Sequence, residues 1–284
     1  MTYPSDGDLQ VSRATPEDWR LVTEWAAAEG WNPGLSDGAG FFAQDPDGFF
    51  LGRIAGEPVS SVSVVNYSDS YAFLGFYLVR PDLRGLGHGL ATWKAALAHA
   101  GDRTVGLDGV PAQQDNYRRS GFAWAYGTAR YAGPAPVRPP GEGVVPAVSV
   151  GLSAIAAYDS ACYPAERVRF LEGWLTLPGH VALARVVDGR LTGYGVIRPA
   201  REGARIGPLF ADAPADAEAL FDSLVAASGA ATIAVDVPDA HPAAVRLAEA
   251  RGLTPSFRTA RMYTGPVRPF AADRVFGVST LELG

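Results

Sequence analysis

Cysteine is almost absent. Cys162 stands alone among 284 residues, which excludes an intrachain disulfide framework and a Cys-based zinc cluster. The four histidines, His88, His99, His180 and His241, do not pair at ligand spacing, so no metal site is expected from them. No apolar run approaches the roughly 18 residues of a membrane span. The opening MTYPSDGDLQ has neither a basic n-region nor an apolar h-region, so no secretory signal is read there and a cytoplasmic protein is expected. Positive charge is also scarce. With 24 Lys+Arg against 30 Asp+Glu the formal net charge is −6, the wrong balance for a nucleic-acid partner.

Hydrophobic residues make up 48% and charged residues 19%, an ordinary composition for packed domains. The length suggests about two of them. The stretch GPAPVRPPGEGVVP, residues 133–146, is dense in Pro and Gly and carries no hydrophobic period. Taken as a linker over 135–144, it separates a domain at 1–134 from a second at 145–284.

The first half reads as a strand (9–12) and then a helix that Thr15 caps, with Pro16 and Asp18 in its first turn. An irregular Gly-rich stretch (29–40) follows. Three strands come next (49–54, 59–67, 71–79). Then come a helix (87–100) with Leu90, Trp93 and Leu97 on one face, a strand (104–108), a short helix (116–119) and a strand (122–131). The second half repeats this order: strands at 181–187, 191–197 and 205–210, a helix at 214–227, a strand at 232–237, a helix at 242–250 and a strand at 253–263. TVGLDG (104–109) matches TIAVDV (232–237), and Thr128-Ala129-Arg130 matches Thr259-Ala260-Arg261. Shared order and shared residues indicate an internal duplication. Asp108 and Asp236 occupy equivalent places, which implies a common structural role. Residues 270–284 add a last strand that the sequence assigns to neither half.

The stretch carrying chemistry is GFYLVRPDLRGLGHGLATWKAAL, residues 75–97. A strand runs into Arg84-Gly85-Leu86-Gly87-His88-Gly89 and a helix begins. The first amides of a helix lack internal partners and carry the positive end of its dipole, so an anion can bind there if the backbone is accessible. The glycines remove obstructing side chains, and Arg84 adds positive charge. A Walker loop would need Gly-Lys-Ser/Thr, and a dinucleotide fingerprint would need glycine where Leu90 stands. Taken alone, the R-x-x-G-x-G pattern equally suits a turn that only starts a helix.

Leu78-Val79-Arg80-Pro81, this loop, and Tyr117-Arg118-Arg119-Ser120-Gly121-Phe122 occur in an order that resembles the GNAT family of N-acetyltransferases, over residues 8–132. The resemblance implies an α/β (α+β) fold of two tandem GNAT-like domains, each a mixed, largely antiparallel sheet flanked by helices. It implies acetyl-CoA as cofactor, with the pyrophosphate on the amides of Gly85, Leu86, Gly87, His88, Gly89 and Leu90 beside Arg84. The backbone around Leu78 and Val79 would take the pantetheine arm and polarise the acetyl carbonyl. Tyr117 would protonate the departing CoA thiolate. The Asn that the family often carries seven residues earlier is Val110 here, and Asn116 is its partial substitute.

The family often places a Glu on the fourth strand, but residues 71–79 hold no acid. Glu29 and Asp37 are the loop carboxylates that could take its place as base. Cys162 lies in the other half, which favours direct attack by an amine in a ternary complex. The second half resembles a degenerate GNAT domain. No glycine falls between Gly207 and Gly229, Asp212 and Asp216 sit where an anion would need positive potential, and Ala248 matches Tyr117. One acetyl-CoA site per chain follows, with the second half shaping the acceptor pocket or forming a homodimer. Tyr194, Arg198 and Arg261 are its candidates to face that pocket. The expected activity is transfer of an acetyl group to a primary amine of a small molecule or peptide. The alternatives are a non-catalytic CoA or acyl-CoA sensor and an acyltransferase using a longer acyl-CoA.

Overall fold

A computed structural model describes residues 9–284, so most of the opening segment read for a targeting signal lies outside the described residues. The first half runs β1 (Gln10–Arg13), α1 (Pro16–Ala28), α2 (Asp37–Gln44), β2 (Phe49–Ile54), β3 (Glu57–Asn66), β4 (Tyr71–Val79), α3 (His88–Leu97), β5 (Thr104–Gly109), α4 (Gln114–Arg119) and β6 (Ala123–Pro134). The second runs β7 (Val144–Pro146), α5 (Leu152–Cys162), α6 (Val168–Trp174), β8 (Val181–Val187), β9 (Arg190–Pro199), β10 (Ala204–Ala211), α7 (Pro214–Ser228), β11 (Thr232–Pro238), α8 (Pro242–Ala250), β12 (Thr254–Tyr263) and β13 (Val275–Gly277).

Local chemistry sets the ends of several elements. Thr15 and Asp18 form a reciprocal capping box on α1, with Asp18 N–H donating to Thr15 Oγ1 at 3.2 Å and Thr15 N–H to Asp18 Oδ2 at 2.9 Å. The buried face of α1, Trp19, Val22 and Ala26, closes on the sheet with Trp19 edge-on to Phe49 at 4.7 Å and to Phe76 at 5.4 Å. The stretch read as irregular through residue 40 already turns helical at Asp37. Two glycines weaken the intrinsic propensity of α2 (DGAGFFAQ), but Phe41 lies buried between Phe170 and Trp174 of α6, at ring distances of 6.0 and 5.5 Å. Tertiary packing therefore decides that helix. In α3 the buried stripe is Gly89, Thr92, Trp93 and Ala96, whereas Leu90 is 52% exposed. The helix is rotated by about one position from the expected face.

The strands form one sheet in the order β1-β2-β3-β4-β5-β12-β6-β11-β10-β9-β8-β7, with β13 beside β10. Neighbours are antiparallel except β4–β5 and β10–β11. The two halves exchange β6 and β12, the strands that end the duplicated order. β12 of the second half pairs with β5, and β6 of the first pairs with β11 and β12. The hydrogen-bonded ladder thus runs unbroken through both halves. Four of the duplicated residues fasten the exchange. Arg130 on β6 pairs with Asp236 on β11 at 2.7 Å, and Arg261 on β12 grips Asp108 on β5 with two hydrogen bonds of 3.1 and 2.7 Å, all four side chains being buried. The common structural role expected of the two aspartates is to receive the arginine of the strand that the other half exchanges.

β4 and β5 pair only through Tyr71–Leu74 against Thr104–Leu107 and then diverge. The equivalent pair β10 and β11 also diverges after Ile206 and Val235. There, β13 enters the gap, pairing Leu209 with Gly277 and Phe210 with Val275, and Val278 N–H continues to the Asp236 carbonyl at 2.9 Å. The last segment therefore closes the opening of the second half. Beyond Val278 it crosses to the first half, where the Leu283 carbonyl accepts a 2.8 Å hydrogen bond from the Tyr67 hydroxyl.

Candidate active site

The divergence of β4 from β5 is sharpened by a β-bulge. Ser61 pairs with Leu78 and Ser63 with Gly75, so Phe76 and Tyr77 together oppose Val62. Phe76 sits at φ +46°, a region that a bulky residue rarely occupies, and its carbonyl accepts a 2.8 Å hydrogen bond from the Ser61 hydroxyl. Such strain is concentrated at functional positions. Beyond the bulge, Leu78 and Val79 continue β4 with no strand paired on the β5 side among the described residues. Apart from the Val79 carbonyl, which accepts from Arg84 Nε at 3.1 Å, the backbone on that side is open to an extended ligand.

The loop after β4 presents the helix end expected for an anion. Ala91 N–H donates to the Gly87 carbonyl at 3.1 Å, so the amides of His88, Gly89 and Leu90 precede the first helical hydrogen bond. Gly85 and Gly87 stand at φ +81° and +86°, the left-handed region that glycine tolerates, and Gly87 is the N-cap of α3. No acid occupies the first turn. The role of Gly89 is different from that expected. A Cβ there would lie 2.6 Å from Val79 Cγ2 and 2.7 Å from the Tyr77 hydroxyl, so this glycine lets α3 press onto β4. Leu86 and Leu90 are exposed beside the loop, and His88 is half-buried at its end. Arg84 is already engaged. Its Nε donates to the Val79 carbonyl at 3.1 Å and its guanidinium pairs with Glu29 at the end of α1. It therefore ties loop, strand and helix together, and Glu29 is occupied by that contact.

Tyr117 lies buried on α4, stacked on Trp93 at 5.5 Å. It lines a narrow cavity of about 70 Å³ that opens where β4 leaves β5. Trp31, Phe76, Asp108, Phe257 and Glu282 form other parts of the wall. Burial holds the Tyr117 phenol well above its ordinary value, so it stays protonated at neutral pH. Asn116 points elsewhere. Its amide is exposed and bonds Gln113 at 2.5 Å and Arg119. Val110, where the family's Asn was expected, lines the cavity as an apolar wall.

Of the expected candidates for the base, Asp37 is spent on structure: Arg198 donates to it at 2.7 and 3.2 Å and Gly34 N–H at 3.1 Å. Arg198 itself is consumed by that pair and by the Gly207 and Ser279 carbonyls. The Tyr194 hydroxyl bonds Asp159, deep in the second half. Arg261 reaches the cavity only through Asp108, whose two oxygens it occupies. Burial raises the Asp108 carboxyl above the usual range, although Arg261 opposes the shift. Cys162 is buried in the second half, and burial pushes its thiol up to about 12, so it is not a thiolate.

In the second half neither Asp212 nor Asp216 caps α7. Ala213 is the N-cap, Asp216 pairs with Arg185 at 3.2 Å, and Asp212 accepts from the Tyr158 hydroxyl at 2.7 Å. Sequence reasoning missed Trp31, Phe257 and Glu282. The duplicated Thr-Ala-Arg was the available signal that second-half residues reach this site, since Phe257 shares β12 with Arg261.

Residues 12–122 match the Acetyltransferase (GNAT) family, and residues 155–277 match an Acetyltransferase (GNAT) domain. The holothin acyltransferase of Pseudoalteromonas sp. (strain SANK 73390) is 36% identical over 275 residues, 95% of this chain and 93% of that protein. A crystal structure from Pyrococcus horikoshii, provisionally named an acetyltransferase, superposes with a TM-score of 0.83 at 23% identity over 100% of this chain and 98% of that one. A tandem GNAT protein from the clavulanic acid biosynthesis pathway gives a TM-score of 0.61 at 17% identity, covering 91% and 99%.

Proposed function

The chain belongs to the GNAT acyltransferase family, with two GNAT domains in tandem, and from that premise we propose that it transfers an acetyl group from acetyl-CoA to the amine of a small molecule, at one site per chain. The observation that carries this is the juxtaposition in the first half of three features: unpartnered helix-start amides at residues 88–90, an open β4 edge at Leu78 and Val79, and Tyr117 at the cavity beyond. Acetyl-CoA would supply an acyl thioester as electrophile.

The amides at the start of α3, backed by its dipole, hold the pyrophosphate. The exposed Leu86 and Leu90 give the adjoining arm apolar contact. The free backbone of β4 beyond the bulge orients the arm and offers an N–H to the thioester carbonyl, where negative charge grows during attack. Tyr117 keeps its proton at neutral pH and stands above an ordinary thiol, so it stabilises the departing sulfur as a hydrogen-bond donor more than as a full acid. Asn116 is left out of this machinery, and Arg84 acts by bracing the loop. The narrow cavity favours a short acyl group. In the second half β13 fills the corresponding gap, which supports a single site.

Holothin, named for the relative, is the first acceptor to test, with acetyl-, butyryl- and octanoyl-CoA as donors. CoA release that depends on the acceptor and is fastest with acetyl-CoA supports the proposal. Faster transfer from a longer chain would move the donor assignment, and tight CoA binding without release to any amine would favour a sensor.

A further inference from the structure

The second half contributes Glu282 to the wall of the first-half cavity. The carboxylate is buried and divides its two oxygens. Oε1 accepts from Arg205 at 3.0 Å and lies 3.8 Å from Arg130, while Oε2 is buried with no hydrogen-bond partner among the described residues. A buried carboxylate oxygen left without a donor is costly, and a protic ligand group would satisfy it. The other acid on the wall, Asp108, has both oxygens taken by Arg261.

The backbone fixes where Glu282 stands. A Cβ on Gly75 would overlap the Glu282 carbonyl, so the chain crosses β4 in contact with the strand just before the bulge. The charged groups around it come from every adjoining element: Arg205 on β10, Arg130 on β6, Asp236 on β11, Asp108 on β5, Arg261 on β12, and the Asp37–Arg198 pair beyond Asn32. Four carboxylates, counting Glu282, face four guanidiniums, so the cluster is neutral as a whole. An ammonium or amine N–H that reached Oε2 would meet an oxygen without a donor and no excess positive charge.

Given the acyl transfer proposed above, on which this rests, we infer that Glu282 is the catalytic residue that receives the acceptor amine, binding its N–H through Oε2 and taking its proton as it attacks. The C–N bond forms and the C–S bond breaks. The amine proton passes to Glu282 Oε2, and the sulfur leaves as thiolate against the Tyr117 hydroxyl. The base absent from β4 is thereby supplied from the far end of the chain, which gives the second half a direct part in the reaction.

The full-length protein and Glu282→Gln are compared in four measurements: thermal melting, calorimetry with acetyl-CoA, equilibrium binding of holothin, and the pH profile of kcat/KM with both substrates. Glu282→Gln keeps an acceptor oxygen for Arg205. The expected result is a folded protein that melts lower, because a buried charge facing Arg205 is lost, with unchanged acetyl-CoA affinity, weaker holothin binding, kcat lower by about 10²-fold, and a pH profile that differs from the parent's. Formate should restore part of the rate to Glu282→Ala. Full kcat with an unaltered pH profile overturns the inference. So does loss of acetyl-CoA binding or of folding in both variants, which reduces Glu282 to a structural ion-pair member. A parent that binds acetyl-CoA but acetylates no amine overturns the acyl-transfer reading itself.

Discussion

Replacing Arg261 by Met tests whether the exchanged strands are fastened as described. Arg261 lies buried on β12, and its guanidinium donates to both oxygens of Asp108 on β5 at 3.1 and 2.7 Å. Methionine retains much of the volume and removes the charge. Asp108 is then left in the interior with no cation. Breaking a buried pair from one side costs about 3–5 kcal/mol, because an uncompensated charge remains. For a chain of this size 1 kcal/mol corresponds to about 2 °C in Tm, so Arg261→Met should melt about 6–10 °C below the parent at pH 8. The deficit should shrink as pH falls. Without Arg261 the folded-state pKa of Asp108 rises further above its unfolded value, so protonation stabilises the folded variant below that pKa and the benefit is lost as pH rises through it. Replacing both partners, as Asp108→Leu with Arg261→Met, should recover most of the loss because no lone charge is buried. Calorimetric melts at pH 5 and pH 8 on all three proteins decide the matter. A single variant within about 2 °C of the parent at pH 8, or a double variant worse than the single, would refute the reasoning.

Tyr117→Phe should lower kcat by about 10²-fold while leaving acetyl-CoA affinity unchanged, since the ring packing on Trp93 survives and only the donor to sulfur is removed; steady-state kinetics with parallel calorimetry check it, and full turnover would contradict the assignment. His180 is pushed down to about 4, first by burial and then by Arg198. Its folded pKa is depressed below the unfolded value near 6.5, so stability present above that value is lost as pH falls towards 4. A His180→Asn variant should show a flatter Tm profile across that window, read by thermal melting.

The local geometry of the candidate site was legible where its signals are local. The cap on α1 is written in Thr15 and Asp18, and the open helix start after β4 in the glycines that precede α3. The strand exchange was not legible, for a specific reason. Thr128–Arg130 and Thr259–Arg261 are the same three residues, so either strand fits beside either aspartate by pattern alone, and only the sheet reveals that each arginine crosses over. The helix α2 was hidden by its glycines and is held by Phe41 packing on a partner 129 residues away, Phe170. Leu90 misled because an apolar residue at helical spacing usually marks the core, whereas here it stands open beside the cradle. Glu282 belongs to no motif. Its place is set by the carbonyl contact at Gly75 and by Arg205, both distant in sequence.

The central claim is one acyl-CoA site per chain, seated on the helix start after β4. Titration calorimetry with acetyl-CoA on the parent and on Gly87→Trp tests it most directly. A tryptophan at φ +86° strains the cap and covers the amides. The account predicts one site per chain in the parent and none measurable in the variant, with both proteins folded. Two sites per chain, or a Gly87→Trp protein that binds as the parent does, would contradict it.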